Sequence, residues 1–470
     1  MANIVTIDPM TRIEGHGKVT IHLDDSGTVE SARFHVMEFR GFEKFCEGRM
    51  VWDMPLITTR ICGICPTAHH LASVKACEAV FDVELPAAAK KLRELLILGS
   101  GLEDQALHFF FLAAPDFVLG PDSDPLKRNV LGIVEANKDL AIKAIRLRKI
   151  GKNIVERVGG SSIHPVTAIP GGMSKSITGD DRYSMLKDAD EAISYAELAL
   201  DIAKDLFIKY ADLAPSFANF DSLYMGLTKD GMFEEYDGAI RVVDKDGAIV
   251  ADFSPQDYAN YIDEAVEDYS WAKFPYWKSG GETYRVGPLA RLNVATNIDT
   301  PKAKVAFDEF KAIGNGKPLS GSLYYHYARV IELLYKAEKI KELLQDDEIM
   351  SQDVRVKVDR KAGEGVGVVE APRGTLIHHY QADDFGKLVK ANLIVPTTHN
   401  NKAIDTAIAM AAKDNIKGKK LNEGVLNLVE MAARCYDPCL SCATHAIGKM
   451  PLEVTLYSHD GLVLDSIRRA

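Results

Sequence analysis

The sequence predicts an α+β fold, mainly α, with a central bundle of long helices and small peripheral β-sheets. Three observations carry this. Between residues 86 and 345 apolar side chains recur at spacings of three and four, alternating apolar and polar segments sit towards both ends, and two Cys-x-x-Cys pairs, Cys62/Cys65 and Cys439/Cys442, lie near opposite ends of the chain. Joining those pairs buries a site between the N- and C-terminal segments.

The elements follow in order. From Asn3 to Glu38 the alternation in Lys18–Asp24 and Ala32–Glu38, with Asp25-Ser-Gly27 as turn chemistry, predicts an antiparallel sheet. Gly63 to Phe81 turns helical, and Pro86 stands where a helix N-terminus favours it. Long amphipathic helices are expected over Ala87–Ala114, Leu131–Val158, Tyr183–Leu213, Thr300–Ile313 and Ser320–Leu344. Val242–Val250 reads as a hairpin, Asp353–Val358 and Gly365–Glu370 as short strands, Asn401–Ala412 and Gly424–Arg434 as helices, and Pro451–Tyr457 with Leu462–Ile467 as a second hairpin. No low-complexity linker divides the 470 residues, so the expectation is one domain over 1–470, with a β region at 1–50 and the bundle at 86–345.

Composition narrows the function. A net charge of -11 with no offsetting basic cluster argues against nucleic acid or an anionic membrane surface as partner. The start lacks a charged region followed by an apolar core, and no uninterrupted apolar run approaches the length of a membrane span. A cytoplasmic protein with no direct membrane insertion is expected. Seven cysteines are too few and odd for a disulfide framework, and four of them fall in the two pairs.

Arg60-Ile-Cys-Gly-Ile-Cys65 precedes His69, and Asp437-Pro-Cys-Leu-Ser-Cys442 precedes His445. Four thiolates on two tight turns make a sulfur cage for a soft or borderline metal and exclude hard ions. Structural zinc fits the spacing equally well, and a redox-active pair fits it less well. Zinc knots, however, usually join nearby cysteines, whereas most of the chain separates these. Arg60, Arg373, His69 and His445 add positive charge and donors that lower thiolate pKa values, which an inert knot does not need.

Together, Ile7-Asp-Pro-Met-Thr-Arg-Ile-Glu-Gly-His16, Arg40-Gly-Phe-Glu43, the first cysteine segment with His69, Glu370-Ala-Pro-Arg-Gly374, Val395-Pro-Thr-Thr-His-Asn400 and the second cysteine segment resemble the signatures of nickel–iron hydrogenase large subunits, in that family's order. The resemblance implies that Cys62 and Cys439 bind nickel terminally, while Cys65 and Cys442 bridge it to an iron carrying cyanide and carbon monoxide. It makes Cys439 and Glu14 the proton acceptors in heterolytic cleavage of molecular hydrogen; taken alone, Glu14 could equally pair with Arg12. It places Arg373 over the metals with Asp104 and Asp437 as its partners, His69 beside a bridging thiolate, and Pro372 and Thr397 around the iron's diatomic ligands. On the last of these segments the family pattern has Trp where this chain has His399.

It also implies a magnesium ion held by Glu43, the carbonyl of Leu393 and His445, and removal of Ala446–Ala470 by a maturation protease. His35–Phe45 is most similar to the cytoplasmic methanogen enzymes that do not reduce the deazaflavin coenzyme. Their implied partners are an iron–sulfur small subunit, a [2Fe–2S] adaptor and the heterodisulfide reductase complex. Cys46, Cys77 and Cys435 are scattered and read as buried apolar thiols, so the chain lacks an electron wire of its own. The alternatives are a deazaflavin- or NAD(P)-linked hydrogenase, a hydrogen sensor, and the metal-free subunit of a respiratory complex.

Overall fold

The computed structural model describes residues 3–359, 361–416 and 422–444, and the backbone of the strands Leu452–Tyr457 and Val463–Arg469. Its centre is a set of long helices: Ala87–Leu107 packs on Lys138–Gly159, Gly179–Lys209 packs on Tyr324–Gln345, and Ala87–Leu107 also meets Tyr324–Gln345. Buried Leu, Ile and Ala side chains fill the interfaces. At Gly99 and Gly151 the first pair comes close enough that an added Cβ on Gly151 would lie 2.5 Å from the Gly99 carbonyl oxygen.

Small sheets surround the helices. Asn3–Ile7, Gly17–Leu23 and Val29–Val36 form an antiparallel sheet as expected, and the middle strand alternates buried and half-buried residues along its length. Ala239–Val243 and Ile249–Phe253 form the expected hairpin within a larger sheet. The sheet that positions the site is Gly363–Ala371, Gly374–Ala382 and Leu388–Ile394, antiparallel throughout, with the helix Pro66–Phe81 laid against it. Gly367 permits that contact: a Cβ there would lie 2.1 Å from the Ala72 carbonyl oxygen.

Several expectations are corrected. The Leu131–Val158 stretch is two helices, Val130–Ala136 and Lys138–Gly159, because Asn137 caps the second with its side chain. Asp353–Val358 forms no strand; it makes a single bridge, Arg355 to Gly172. The Ala87–Ala114 helix continues through a π-helical turn, His108–Ala113, to Val118. The run Ala87–Val118 is in fact long and apolar enough to cross a membrane, but 78% of its most apolar window is buried in protein, as befits a core helix. The second hairpin forms, pairing Leu452–Tyr457 with Val463–Arg469. His445 and the remainder of the 446–470 extension lie outside the described residues.

Candidate metal centre

The first cysteine pair is presented by the entry to a helix: Cys65 is the N-cap of Pro66–Phe81, and Pro66 starts it without losing a useful N–H. The second pair is presented by a left-handed residue, Asp437 at φ 53°, after which Cys439 caps the short helix Leu440–Ala443. Thr397, in the first turn of Pro396–Asn415, accepts the Cys439 N–H at 2.9 Å, and the Ile64 N–H points to Cys62 Sγ at 3.3 Å.

These turns bring four buried sulfurs within 4.8 Å of one another. Cys62 faces Cys439 at 3.5 Å, Cys65 faces Cys442 at 3.3 Å, and Cys439 lies 3.1 Å from Cys442. Their contacts, led by that with Cys439, hold Cys62 well below the ordinary thiol range. The Cys442 contact drives Cys439 well above it, and burial does the same to Cys442. One sulfur can ionise only at its neighbours' expense. Four thiolates therefore need a cation among them, so the donor set fits a soft metal.

Arg373 closes one side. Its Nη1 and Nη2 donate to the two oxygens of Asp104 at 2.9 and 3.1 Å, Nε donates to the Asp437 carbonyl at 2.7 Å, and Nη2 reaches the Asp437 carboxylate at 3.2 Å. All three residues are buried. Burial acts to lower the Arg373 pKa, but Asp104, Asp437 and the Cys439 and Cys65 sulfurs outweigh it, so the guanidinium stays charged. Burial raises both carboxyls against the pull of Arg373.

His69 Nε2 lies 3.4 Å from Cys442 Sγ, and its Nδ1 lies 3.1 Å from His378 Nε2; Tyr380 and Ser73 extend this buried chain. Burial lowers the His69 pKa to about 4, so its imidazole is neutral near pH 7. Glu14 docks on the second cysteine loop: its N–H meets the Pro438 carbonyl at 3.3 Å, its carbonyl accepts the Leu440 N–H at 3.0 Å, and its carboxylate accepts the Ser441 N–H at 3.0 Å. Arg12 pairs instead with Asp116 at 2.5 Å, so the alternative of an Arg12–Glu14 pair does not hold.

Elsewhere, the Pro372 carbonyl accepts from Arg291 at 3.2 Å. Glu43 accepts the Leu393 N–H at 2.8 Å and the Lys273 ammonium at 3.0 Å, and Glu264 shares that ammonium. His108 hydrogen-bonds the Arg434 carbonyl and stacks on His326. Arg60 is exposed, so the charge expected from it is not at the sulfurs; Arg40 instead bridges the two cysteine loops through the carbonyls of Ile61 and Ser441. Arg40 was legible as a motif residue but its bridging was not. Ser441 stood inside the second cysteine segment without a role, and Arg291, His378 and Tyr380 carried no local signal. Cys46, Cys77 and Cys435 are buried apart, and burial pushes Cys46 and Cys435 up to about 12.

Comparison with known proteins agrees with this geometry. The chain matches the nickel-dependent hydrogenase family model over residues 40–122 and 236–445, and a HoxL-like model over 4–39. It is 46% identical to a component of the vhc F420-non-reducing hydrogenase of Methanococcus voltae, covering 97% of this chain and 98% of that one. It is 41% identical to the beta component of the NAD-reducing hydrogenase HoxS of Cupriavidus necator, covering the whole of both. A crystal structure of an NAD+-reducing [NiFe]-hydrogenase in the H2-reduced state superposes with a TM-score of 0.92 at 44% identity, covering 94% of this chain and 99% of that one. With its four clustered sulfurs, the chain belongs to the nickel-dependent hydrogenase family, as a large subunit of the nickel–iron type and an oxidoreductase acting on hydrogen.

Proposed function

We propose that this subunit catalyses the reversible heterolytic cleavage of H2 into protons and electrons. The observation that carries the reading is the set of four buried sulfurs within 4.8 Å of one another, with the Glu14 carboxylate fixed to the same loop. When bound, a nickel–iron group with cyanide and carbon monoxide on its iron supplies the two-electron chemistry. Cys62 and Cys439 would hold its nickel, and Cys65 and Cys442 would hold its nickel and iron together. Cys439 takes the proton and Glu14 receives it. Arg373, locked by Asp104 and Asp437, sets a permanent positive charge against the site without offering a proton. His69 steadies Cys442, and Pro372 and Thr397 would border the diatomic ligands of the bound group.

Glu43 and Leu393, with His445, are the candidate magnesium ligands. Two carboxylates, Glu43 and Glu264, face the single Lys273 ammonium, and the net negative charge suits a divalent cation. Electrons leave through an iron–sulfur small subunit, because the three remaining cysteines are scattered and buried. They pass on through a [2Fe–2S] adaptor to the heterodisulfide reductase complex in the cytoplasm. A second reading, NAD as acceptor, is favoured by the similarity to the NAD+-reducing structure; supplying the purified complex with H2 and each acceptor in turn decides between them. For the cleavage itself, Glu14→Gln is expected to suppress hydrogen–deuterium exchange while nickel stays bound. Exchange at the wild-type rate removes Glu14 from the proton path.

A further inference from the structure

A proton received by Glu14 still has to reach water, and a chain of polar groups leads outward from that carboxylate. Ser441 lies between Cys439 and Cys442, with its carbonyl held by Arg40 at 3.1 Å. Its hydroxyl is in close hydrogen-bond contact with Glu14 Oε1 and lies 3.2 Å from Glu38 Oε2. The other Glu38 oxygen accepts from the His16 N–H at 3.2 Å and meets His16 Nδ1 at 2.9 Å. The Glu38 side chain is 22% exposed and that of His16 is 79% exposed, so accessibility increases outward. The intervening Gly15 is required by the packing. At φ 84° its Cβ would lie 2.8 Å from Leu440 Cβ and 3.2 Å from Glu38 Oε1, so a side chain there would push the chain of groups apart.

We propose that Ser441, Glu38 and His16 form the exit route for the proton received by Glu14, with Glu38 as its relay residue; this rests on the hydrogen-cleaving reading above. A hydroxyl has one hydrogen, so Ser441 serves the two carboxyls by exchanging it. The Glu14 O–H breaks as a new O–H forms on Ser441, whose original hydrogen passes to Glu38. The proton arrives on Glu38 Oε2, whereas His16 faces Oε1, so the Glu38 carboxyl turns about its Cγ–Cδ bond and then gives the proton to His16 Nδ1 as the Nε2–H of the same ring is released to water. Tautomer exchange restores the imidazole. The net change is one proton moved from Glu14 to solvent.

The test uses the matured enzyme complex. Glu38→Gln is expected to lower H2-oxidation turnover on the order of tenfold, less than the 10²–10⁴-fold of a positioned acid or base because water reaches Glu38. The solvent isotope effect should rise while nickel content and the cyanide and carbonyl infrared bands stay unchanged, and Glu38→Asp should restore part of the rate. Ser441→Ala combined with Glu38→Gln should be no slower than the slower single variant, because both interrupt one series. His16→Gln should cost less. Wild-type turnover and isotope effect in Glu38→Gln, loss of nickel from it, or multiplied losses in the double variant overturn the route. A wild-type enzyme that binds nickel but exchanges no hydrogen overturns the underlying reading instead.

Discussion

Two buried arginines stand near each other in this molecule and differ in how completely they are used. Arg291 donates from Nε and Nη2 to Glu332 at 2.7 and 2.6 Å, from Nη1 to Glu370 and the Ala371 carbonyl at 2.8 and 2.9 Å, and from Nη2 to the Pro372 carbonyl at 3.2 Å. All five of its N–H groups are engaged. Arg373, two residues beyond the loop that Arg291 pins at Ala371, makes a single hydrogen bond from Nη1, so among the described residues one N–H is left over. Cys439 and Cys65 are near enough for their charge to act on it. Burial and bidentate pairing are common to both; what separates Arg373 is an incomplete set of partners beside the cysteine sulfurs, which the role proposed for it requires. One arginine builds the loop, and the other faces what the loop encloses.

The two arginines should diverge on substitution. Arg291→Met leaves Glu370 buried without its counter-charge and Glu332 facing only Lys336 at 3.7 Å, and is expected to cost about 3–5 kcal/mol, read as a lowered thermal unfolding midpoint and reduced soluble yield. Arg373→Lys keeps the charge but loses the fork, and is expected to lower H2-oxidation turnover roughly 10²–10³-fold with nickel retained and the midpoint little changed. If the Arg291 variant melts like the wild type, or the Arg373 variant keeps its rate, the distinction fails.

A smaller effect sharpens the same contrast. Burial acts to raise the Glu332 pKa, but Arg291 and Lys336 outweigh it and leave the carboxyl below its ordinary value. A depressed acid contributes stability that is complete above its unfolded pKa, near 4.5, and is lost as pH falls through the folded value. The melting midpoint of the wild type should therefore decline below pH 4.5. Arg291→Met, which removes the main opposing charge, should decline less steeply there; equal slopes would place the acid sensitivity elsewhere.

Much of the site was legible because its residues cluster in short segments. Cys62, Cys65, Cys439 and Cys442 declare a sulfur cage by spacing, and the resemblance brought forward Glu14, Asp104, Arg373 and Asp437 as candidates, which the fold sets on the second cysteine loop and around one guanidinium. What stayed hidden comes from long-range packing. Arg291 reaches Ala371 and Pro372 across 80 and 81 residues, and Ser73 meets Tyr380 across 307. No periodicity records such contacts. The strand Gly374–Ala382 leaves little trace in the sequence because most of it is buried on both faces, which removes the alternation that reveals a half-exposed strand. The helices Lys138–Gly159 and Gly179–Lys209 keep one face in the core and one in water, which makes their pattern readable, although Asn137 shows that one capping residue can divide a continuous pattern.

The four sulfurs are proposed to hold nickel and iron. Elemental analysis combined with infrared spectroscopy of the purified chain in its complex tests it most directly. Nickel bound in the chain and sharp cyanide and carbonyl bands are expected, both lost in Cys439→Ser; zinc alone in the site, with no such bands, would contradict the claim.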